Sequence, residues 1–374
     1  MDEKNGTVIK NDLYPLIDNL DAIPAADFTN EDKYLVERGK TLELPVLADR
    51  AEYDIMSSRG CPFACTYCCN NTYVKIYKGL GQIVRRRKVE NVIDELKNAK
   101  KIFKSLSYVY FYDDVFTTDK GWIEQFSRQY SKEINLPFFC YTHPACADGD
   151  TFRLLKEAGL RDITMGIQTG SKSTREVYLK RPGSNDKIME LAHLFKRQRI
   201  NVSYDILMDN PFESDEDKNQ TLRLLLSLPR PFQLHTHSLT YFPETELTRL
   251  ALENGYISEA DVEDQKQKSL KTWTATLDLS RSKADLFWDN LYYMAKKRYF
   301  PRRFIIRLSQ SRFFKENPRC LAFLLKTFTY DIHSVSTGRF KIVYLVFNGL
   351  KMLFCGEFSR FKSHLKMYLK RNFD

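Results

Sequence analysis

Three cysteines lie close together in the run Ser-Arg-Gly-Cys-Pro-Phe-Ala-Cys-Thr-Tyr-Cys, residues 58–68. Their CxxxCxxC spacing places Cys61, Cys65 and Cys68 on one short loop, where three thiolates can bind one metal centre. Three is one ligand fewer than a closed zinc site or an ordinary ferredoxin-type cluster requires. The spacing therefore predicts a metal centre with one open position, where a substrate or cofactor can bind.

The alternative for this loop is a zinc knuckle in which Cys69 or a distant histidine supplies the fourth ligand. Cys69 directly follows Cys68, so both sulfurs could reach one ion only with a strained backbone, and no second CxxC pair follows. The other four cysteines are scattered, which is typical of buried small side chains, and indicate no disulfide framework. The polar N-terminus lacks the apolar run of a secretory signal, so we expect a cytoplasmic protein.

Apolar runs of strand length alternate with segments of helical period up to about residue 250. This alternation predicts six βα units and a parallel sheet. The predicted strands are residues 53–57, 108–112, 138–142, 163–167, 202–208 and 233–240. We expect an α/β fold, a partial (βα)6 TIM-type barrel, with a doubly wound open sheet as the alternative. In both architectures, ligands bind at the carboxyl ends of the strands.

Charge is distributed unevenly along the 374 residues, whose net charge is +10. Residues 281–374 contain 20 lysines and arginines against six acidic residues. We predict an N-terminal linker-like extension at 1–47, the barrel at 48–250 and a helical, basic C-terminal region at 251–374. The apolar run at 342–355 is shorter than the roughly 20 residues that cross a bilayer. We therefore expect a core helix, or peripheral contact with the inner face of a membrane, over nucleic-acid binding.

The cysteine run resembles the cluster loop of the radical S-adenosylmethionine (SAM) enzymes, including its Ser-Arg-Gly-Cys-Pro lead-in and Tyr67 before the third cysteine. The resemblance extends over about residues 48–250. It implies that Cys61, Cys65 and Cys68 hold a 4Fe-4S cluster whose free iron is chelated by SAM. With an external electron donor, SAM would then be cleaved reductively to a 5′-deoxyadenosyl radical.

The resemblance also implies residues that bind SAM. Asp113 and Asp114 occupy the position of the family's methionine-binding motif, with a helix N-cap as the alternative. Gln168 and Ser171, in Gly-Ile-Gln-Thr-Gly-Ser, resemble the ribose motif, with a plain turn as the alternative. Arg181 could pair with the SAM carboxylate in fork geometry, or be an ordinary surface arginine.

Three histidines lie on predicted strands. His143 ends the third strand and is a candidate proton donor or acceptor, although a histidine on a strand is more often a hydrogen-bonded core residue. His235 and His237 alternate along the sixth strand and are expected to share one face.

Residues 13–28 resemble the linker that joins a cobalamin domain to the barrel in cobalamin-binding radical SAM proteins. Sixty residues precede Cys61, too few for such a domain. We therefore expect either a separate cobalamin-binding partner or a lineage without cobalamin. The predicted function is radical modification, including methylation, of a small-molecule or lipid-like substrate. The alternative is a non-catalytic adaptor that binds zinc or nucleic acid.

Overall fold

The computed structural model describes residues 11–28, 33–43, 51–267 and 282–328. At its centre is a parallel sheet of six strands, which we number β1 to β6. Each strand pairs with its neighbour in the chain, so the spatial order follows the sequence order. The strands are Glu52–Ile55, Tyr108–Phe111, Phe138–Thr142, Leu160–Gln168, Asn201–Met208 and Gln233–Ser238.

This sequential order decides between the two predicted architectures. A doubly wound sheet reverses its strand order at a switch point, where ligands bind. Here all five pairings are parallel and none reverses the order. The partial (βα)6 barrel is thus confirmed, with β1 and β6 at the edges of the sheet.

Helices connect consecutive strands and continue after β6. Cys69–Ile76 (α1) and Val89–Ile102 (α2) precede β2, and one helix precedes each later strand. These are Lys120–Glu133 (α3), Gly149–Ala158 (α4), Asn185–Gln198 (α5) and Asp215–Ser227 (α6). After β6 come Glu246–Glu253 (α7), Glu259–Gln267 (α8), Lys283–Ala295 (α9), Arg302–Ser309 (α10), Arg312–Glu316 (α11) and Pro318–Phe328 (α12). Smaller elements are a hairpin of Tyr34–Glu37 with Lys40–Glu43 and a pair of Ser58–Arg59 with Arg85–Arg86.

Side-chain caps begin several of these helices. Asp119 accepts the backbone N–H of Trp122 at the start of α3, and Ser214 forms a capping box with Asp217 at the start of α6. Each cap satisfies donors that have no partner within the helix. The polar residues before the helical periods thus define where the helices begin.

Alternation along the strands gives the sheet two different faces. Val109 and Phe111 are buried in the core beneath the helices. Tyr110, Phe139 and Tyr141 are half-buried on the opposite face, which is the inner face of the partial barrel. Their rings are in contact, with centroids 5.6 Å apart for Tyr110 and Phe139 and 4.9 Å apart for Phe139 and Tyr141.

The helices after β6 pack against the barrel. Phe287 and Leu291 of α9 belong to the same hydrophobic core as the strands. Asp285 forms a buried ion pair of 2.8 Å with Lys218 of α6. The domain boundary at residue 250 remains a prediction. Within the described ranges, no helix has the length and apolar character needed to span a membrane, and the run at 342–355 lies outside those ranges.

Candidate metal centre

The cysteine loop lies at the carboxyl end of β1, as the sequence predicts. β1 ends at Ile55, and the three cysteines follow before α1 begins at Cys69. Cys65 is buried, whereas Cys61 and Cys68 are half-buried. Cys69 is exposed.

Backbone contacts anchor this loop at both ends. Gly60 has a φ of +83°, and a Cβ there would lie 2.1 Å from the carbonyl oxygen of Ile83, so only glycine fits. The N–H of Thr66 donates to the carbonyl of Leu179 (3.1 Å), and its carbonyl accepts from Leu247 (3.0 Å). The loop is therefore fixed to segments that follow β4 and β6.

The environment of the sulfurs suits a cationic centre. Burial raises the pKa of Cys61 to about 12 and also raises that of Cys65, for which Arg181 offsets part of the effect. A hydrogen bond from the Cys69 thiol lowers the pKa of Cys68 to about 6. Burial disfavours a thiolate without a counter-charge, and a bound metal supplies that charge.

The three cysteine sulfurs do not form a compact group of ligand atoms in the described structure. Among the described residues, the group of three potential ligand atoms that lie within 4.8 Å of one another is Asp205, His235 and His237, not the cysteines. A tetrahedral zinc ion with bonds of about 2.3 Å would bring its sulfurs within about 3.8 Å of one another. In a 4Fe-4S cluster the thiolates bind separate irons, so the three sulfurs need not lie as close together as the ligands of one zinc ion.

Arg181 joins the cysteine loop to the end of β4. Its Nη1 lies 3.8 Å from Cys65 Sγ and 3.2 Å from the hydroxyl oxygen of Tyr67. Its Nη2 donates to the carbonyl of Gly166 at 2.8 Å. The guanidinium is buried, and its planar fork reaches all three acceptors. Both predicted residues, Arg181 and Tyr67, thus lie beside a predicted cluster ligand.

The two aspartates after β2 have different surroundings. Asp113 is fully buried and accepts hydrogen bonds from the N–H (3.1 Å) and hydroxyl (2.8 Å) of Ser57 and from the hydroxyl of Ser58. It caps no helix and instead positions the start of the cysteine loop. Asp114 is exposed overall, but its carboxyl is desolvated enough to raise its pKa, and it hydrogen-bonds Asn70.

Gln168 and Ser171 do not face the same space. Gln168 has a left-handed φ of 69° at a bulge between β4 and β5. A Cβ atom at Gly166 would lie 2.7 Å from Nε2 of Gln168 and 2.8 Å from Nη2 of Arg181. Both side chains therefore occupy the space next to that glycine. Ser171 is fully buried, and its hydroxyl donates to Asp217. The structure thus brings Gln168, not the Ser171 hydroxyl, next to Arg181.

His143 lies beside the cysteine loop. It is buried, and its ring stacks on Phe63 with centroids 3.9 Å apart. Nδ1 accepts the N–H of Ala145 at 3.1 Å, so a neutral ring carries its proton on Nε2, which has no protein partner in the described structure. Burial, assisted by the charge of Arg181, lowers its pKa to about 3. His143 is therefore a neutral N–H donor.

Two carboxylates were not predicted from the sequence. Asp205 lies on β5 between the buried Tyr204 and Ile206, an alternation that indicates the inner face. His235 and His237 share that face, as predicted. Their Nδ1 and Nε2 atoms lie 3.1 and 3.7 Å, respectively, from Oδ1 of Asp205.

The second carboxylate, Glu213, follows β5 and accepts a hydrogen bond from Thr169. Burial raises its pKa to about 7.

Residues 55–225 match the family model described as the radical SAM superfamily. The matched range runs from the end of β1 into α6 and includes the whole cysteine loop. These residues are similar to the radical SAM superfamily, the family whose cluster loop the cysteine run resembles. The match supports the predicted enzyme class and agrees with a 4Fe-4S cluster and SAM as the cofactors.

A curated relative, the uncharacterized methyltransferase PH0819 of Pyrococcus horikoshii, is 24% identical over 259 residues, 68% of this chain and 52% of the relative. This chain thus spans about half the length of that protein. Similar solved structures include the radical SAM methyltransferase TsrM from Kitasatospora setae (17% identity, 55% of this chain, 39% of that chain, TM-score 0.47). Another is the cobalamin-dependent radical enzyme OxsB (14% identity, 79% and 49%, TM-score 0.49).

Proposed function

We propose that Cys61, Cys65 and Cys68 bind three irons of the 4Fe-4S cluster and leave the fourth iron to SAM. The observation that carries this assignment is the single anchored loop of three sulfurs at the carboxyl end of β1. Cys69 is exposed, and its thiol donates a hydrogen bond to Cys68. We therefore assign it a place beside the cluster and not the role of a ligand. When bound, the cluster and SAM supply a 5′-deoxyadenosyl radical that removes a hydrogen atom from the substrate.

The surrounding residues have separate tasks in this proposal. Asp113 already accepts hydrogen bonds from Ser57 and Ser58 and fixes the start of the loop. Asp114 is therefore the carboxylate that would accept hydrogen bonds from the SAM ammonium group. Gln168 offers an amide to the ribose hydroxyls. The fork of Arg181 already bonds protein atoms, so we assign it to positioning Cys65. His143 offers its Nε2–H as a fixed donor to the bound reactants.

The substrate of the reaction would bind on the inner face of the barrel. Half-buried aromatic rings there provide an apolar surface for an organic molecule and limit its contact with water. Similarity to the Pyrococcus methyltransferase supports methylation as the reaction. The linker-like residues 13–28 support a cobalamin-binding partner, which would deliver the methyl group, and an external donor would supply electrons.

Peripheral contact with an anionic membrane is a further part of the proposal. On α10 and α11, Phe304 and Phe313 are 47% and 60% exposed. Exposed arginines flank them, namely Arg302, Arg303 and Arg312. The two phenylalanine rings would insert among the lipids, and the neighbouring arginines would contact the anionic headgroups.

Substitution of single cysteines tests the cluster assignment. After anaerobic reconstitution, Cys61→Ala, Cys65→Ala and Cys68→Ala should each lose stable iron and the formation of 5′-deoxyadenosine. Cys69→Ala, the matched neighbour, should retain both. If Cys69→Ala loses iron while one of the other three variants keeps its full content, the assignment is wrong.

Vesicle flotation tests the membrane contact separately. The protein should float with anionic but not neutral vesicles, and salt should weaken the binding. A Phe304→Ser, Phe313→Ser double variant should lose most of it, whereas Val36→Ser, an exposed apolar residue of the hairpin, should not. Equal flotation of both variants, or retention only by RNA, would reject the proposed contact.

A further inference from the structure

A second group of metal-binding side chains lies on the inner face of the barrel, apart from the cysteine loop. Asp205 belongs to β5, and His235 and His237 belong to β6. These strands are parallel, and Asp205 is paired directly with His235. His237 is two residues further along β6, so its side chain points to the same face. The sheet register thus gathers all three side chains.

The distances within this group are close to those around a single ion. Asp205 Oδ1 lies 3.1 Å from His235 Nδ1 and 3.7 Å from His237 Nε2. One ligand atom from each residue falls within 4.8 Å of the other two. Metal bonds of about 2.0–2.2 Å in a tetrahedral arrangement place neighbouring ligand atoms about 3.3–3.6 Å apart. Small rotations of the side chains would therefore suffice to bind an ion.

The charge and exposure of the group also fit a cation. The side chain of Asp205 is only 19% exposed, and its Oδ1 lies 3.1 Å from Nδ1 of His235. The two histidines are about half-exposed, which leaves the side away from the sheet open.

We propose that Asp205, His235 and His237 bind a divalent transition-metal ion. Two imidazoles and one carboxylate suit zinc or iron(II) and leave coordination positions for water or for a substrate oxygen or nitrogen. This site goes beyond the proposed SAM chemistry, because it shares no residue with the cysteine loop.

The position of the site suggests its purpose. Leu207, the β5 partner of His237, packs in the same apolar cluster as Tyr67 of the cysteine loop. Asp205 lies two residues before Leu207 on the same face, deeper in the barrel. A metal ion held there would orient a polar group of the substrate from below, while the reacting carbon faces the cysteine loop.

Cobalt(II) titration of the full-length, cluster-loaded protein tests this proposal, because iron already occupies the cysteine loop. We expect one Co²⁺ per chain by equilibrium dialysis, with ligand-field bands but no additional sulfur-to-cobalt charge transfer. His235→Ala and His237→Ala should each weaken Co²⁺ binding by at least about 10- to 100-fold, the loss seen when even a supporting partner of a ligand is removed. His193→Ala, an exposed histidine on α5, should bind as the wild type does.

The controls separate this proposal from the proposed function. Asp205→Asn keeps the shape of the side chain and should also weaken Co²⁺ binding, with circular dichroism and iron content unchanged. Unchanged Co²⁺ affinity in a folded His237→Ala variant, or the absence of saturable Co²⁺ binding to the wild type, would overturn the metal site. Neither result would alter cluster loading at Cys61, Cys65 and Cys68.

Discussion

The guanidinium of Arg181 lies 3.8 Å from the sulfur of Cys65, although 116 positions separate them in the chain. The same guanidinium bonds the Tyr67 hydroxyl and the carbonyl of Gly166. One side chain thereby connects the loop after β1 to the end of β4. A positive charge beside a buried sulfur also stabilises its thiolate form.

Replacing Arg181 by lysine should weaken this connection. A lysine keeps the charge but cannot span three acceptors as the planar fork does. We expect a loss of about 1.5–3 kcal/mol in the free energy of unfolding and a lower retention of iron. Denaturant titration and iron analysis after desalting measure both. Arg161→Lys, at an exposed position in β4, is the control, and equal behaviour of the two variants would contradict the assigned positioning.

Asp113 and Asp114 should respond differently to the same substitution. Asp113→Asn places an amide NH₂ among the donors of Ser57 and Ser58 and should cost about 2–3 kcal/mol of folding free energy. Asp114→Asn should leave stability nearly unchanged and weaken SAM binding. Thermal denaturation and equilibrium SAM binding distinguish them. A stable Asp113→Asn protein with full iron content would show that the buried carboxylate is not needed to hold the loop.

Gln168 and Ser171 form a second matched pair. Gln168→Ala should weaken SAM binding several-fold, since the loss of one hydrogen bond costs about 1 kcal/mol. Ser171→Ala breaks the bond to Asp217 and should lower stability with little effect on SAM affinity. Isothermal titration of reconstituted proteins with SAM measures the affinities. If Ser171→Ala weakens SAM binding and Gln168→Ala does not, the ribose contact belongs to Ser171.

Glu213 should make stability depend on pH near neutrality. Its folded pKa of about 7 lies above the ordinary value of 4.5, so its contribution is present below about pH 4.5 and lost as the pH rises through 7. Glu213→Gln keeps an acceptor for Thr169 and avoids ionisation. Its unfolding free energy relative to wild type should increase by up to about 3 kcal/mol between pH 4.5 and pH 8.5.

Chemical denaturation at both pH values measures this effect. Glu216→Gln, at an exposed position in α6, is the control. If the difference in unfolding free energy between Glu213→Gln and the wild type is the same at both pH values, the Glu213 carboxyl does not titrate between them.

The ion pair of Lys218 with Asp285 should be costly to break from one side. Both side chains are less than 10% exposed, and Asp285 also accepts the N–H of Asp209. Asp285→Ala leaves a buried ammonium unpaired and should cost about 3–5 kcal/mol. A Lys218→Met, Asp285→Ala double variant should be more stable than Asp285→Ala alone. Additive losses in a double-mutant cycle would exclude the coupling.

Much of the barrel could be predicted because its signals are local. Alternating side chains and polar caps lie within a few residues of the elements that they define, as in β5 and at Ser214. The cysteine spacing likewise depends on one loop, and the shared face of His235 and His237 follows from the two-residue repeat of a strand. No local pattern determines which strands are neighbours in the sheet, so the sequence left two architectures open.

The amino-acid sequence alone determined the six βα units and the three-cysteine loop. Only the tertiary structure decided that Asp113 bonds Ser57, that Arg181 reaches Cys65 and that Asp205 meets two histidines. Each contact joins residues that are 30 to 116 positions apart. Such contacts depend on which strands are neighbours and on their register, because a shift of one residue turns every side chain to the opposite face. A local pattern shows which face of a strand a side chain occupies, but not which residue of the neighbouring strand it meets.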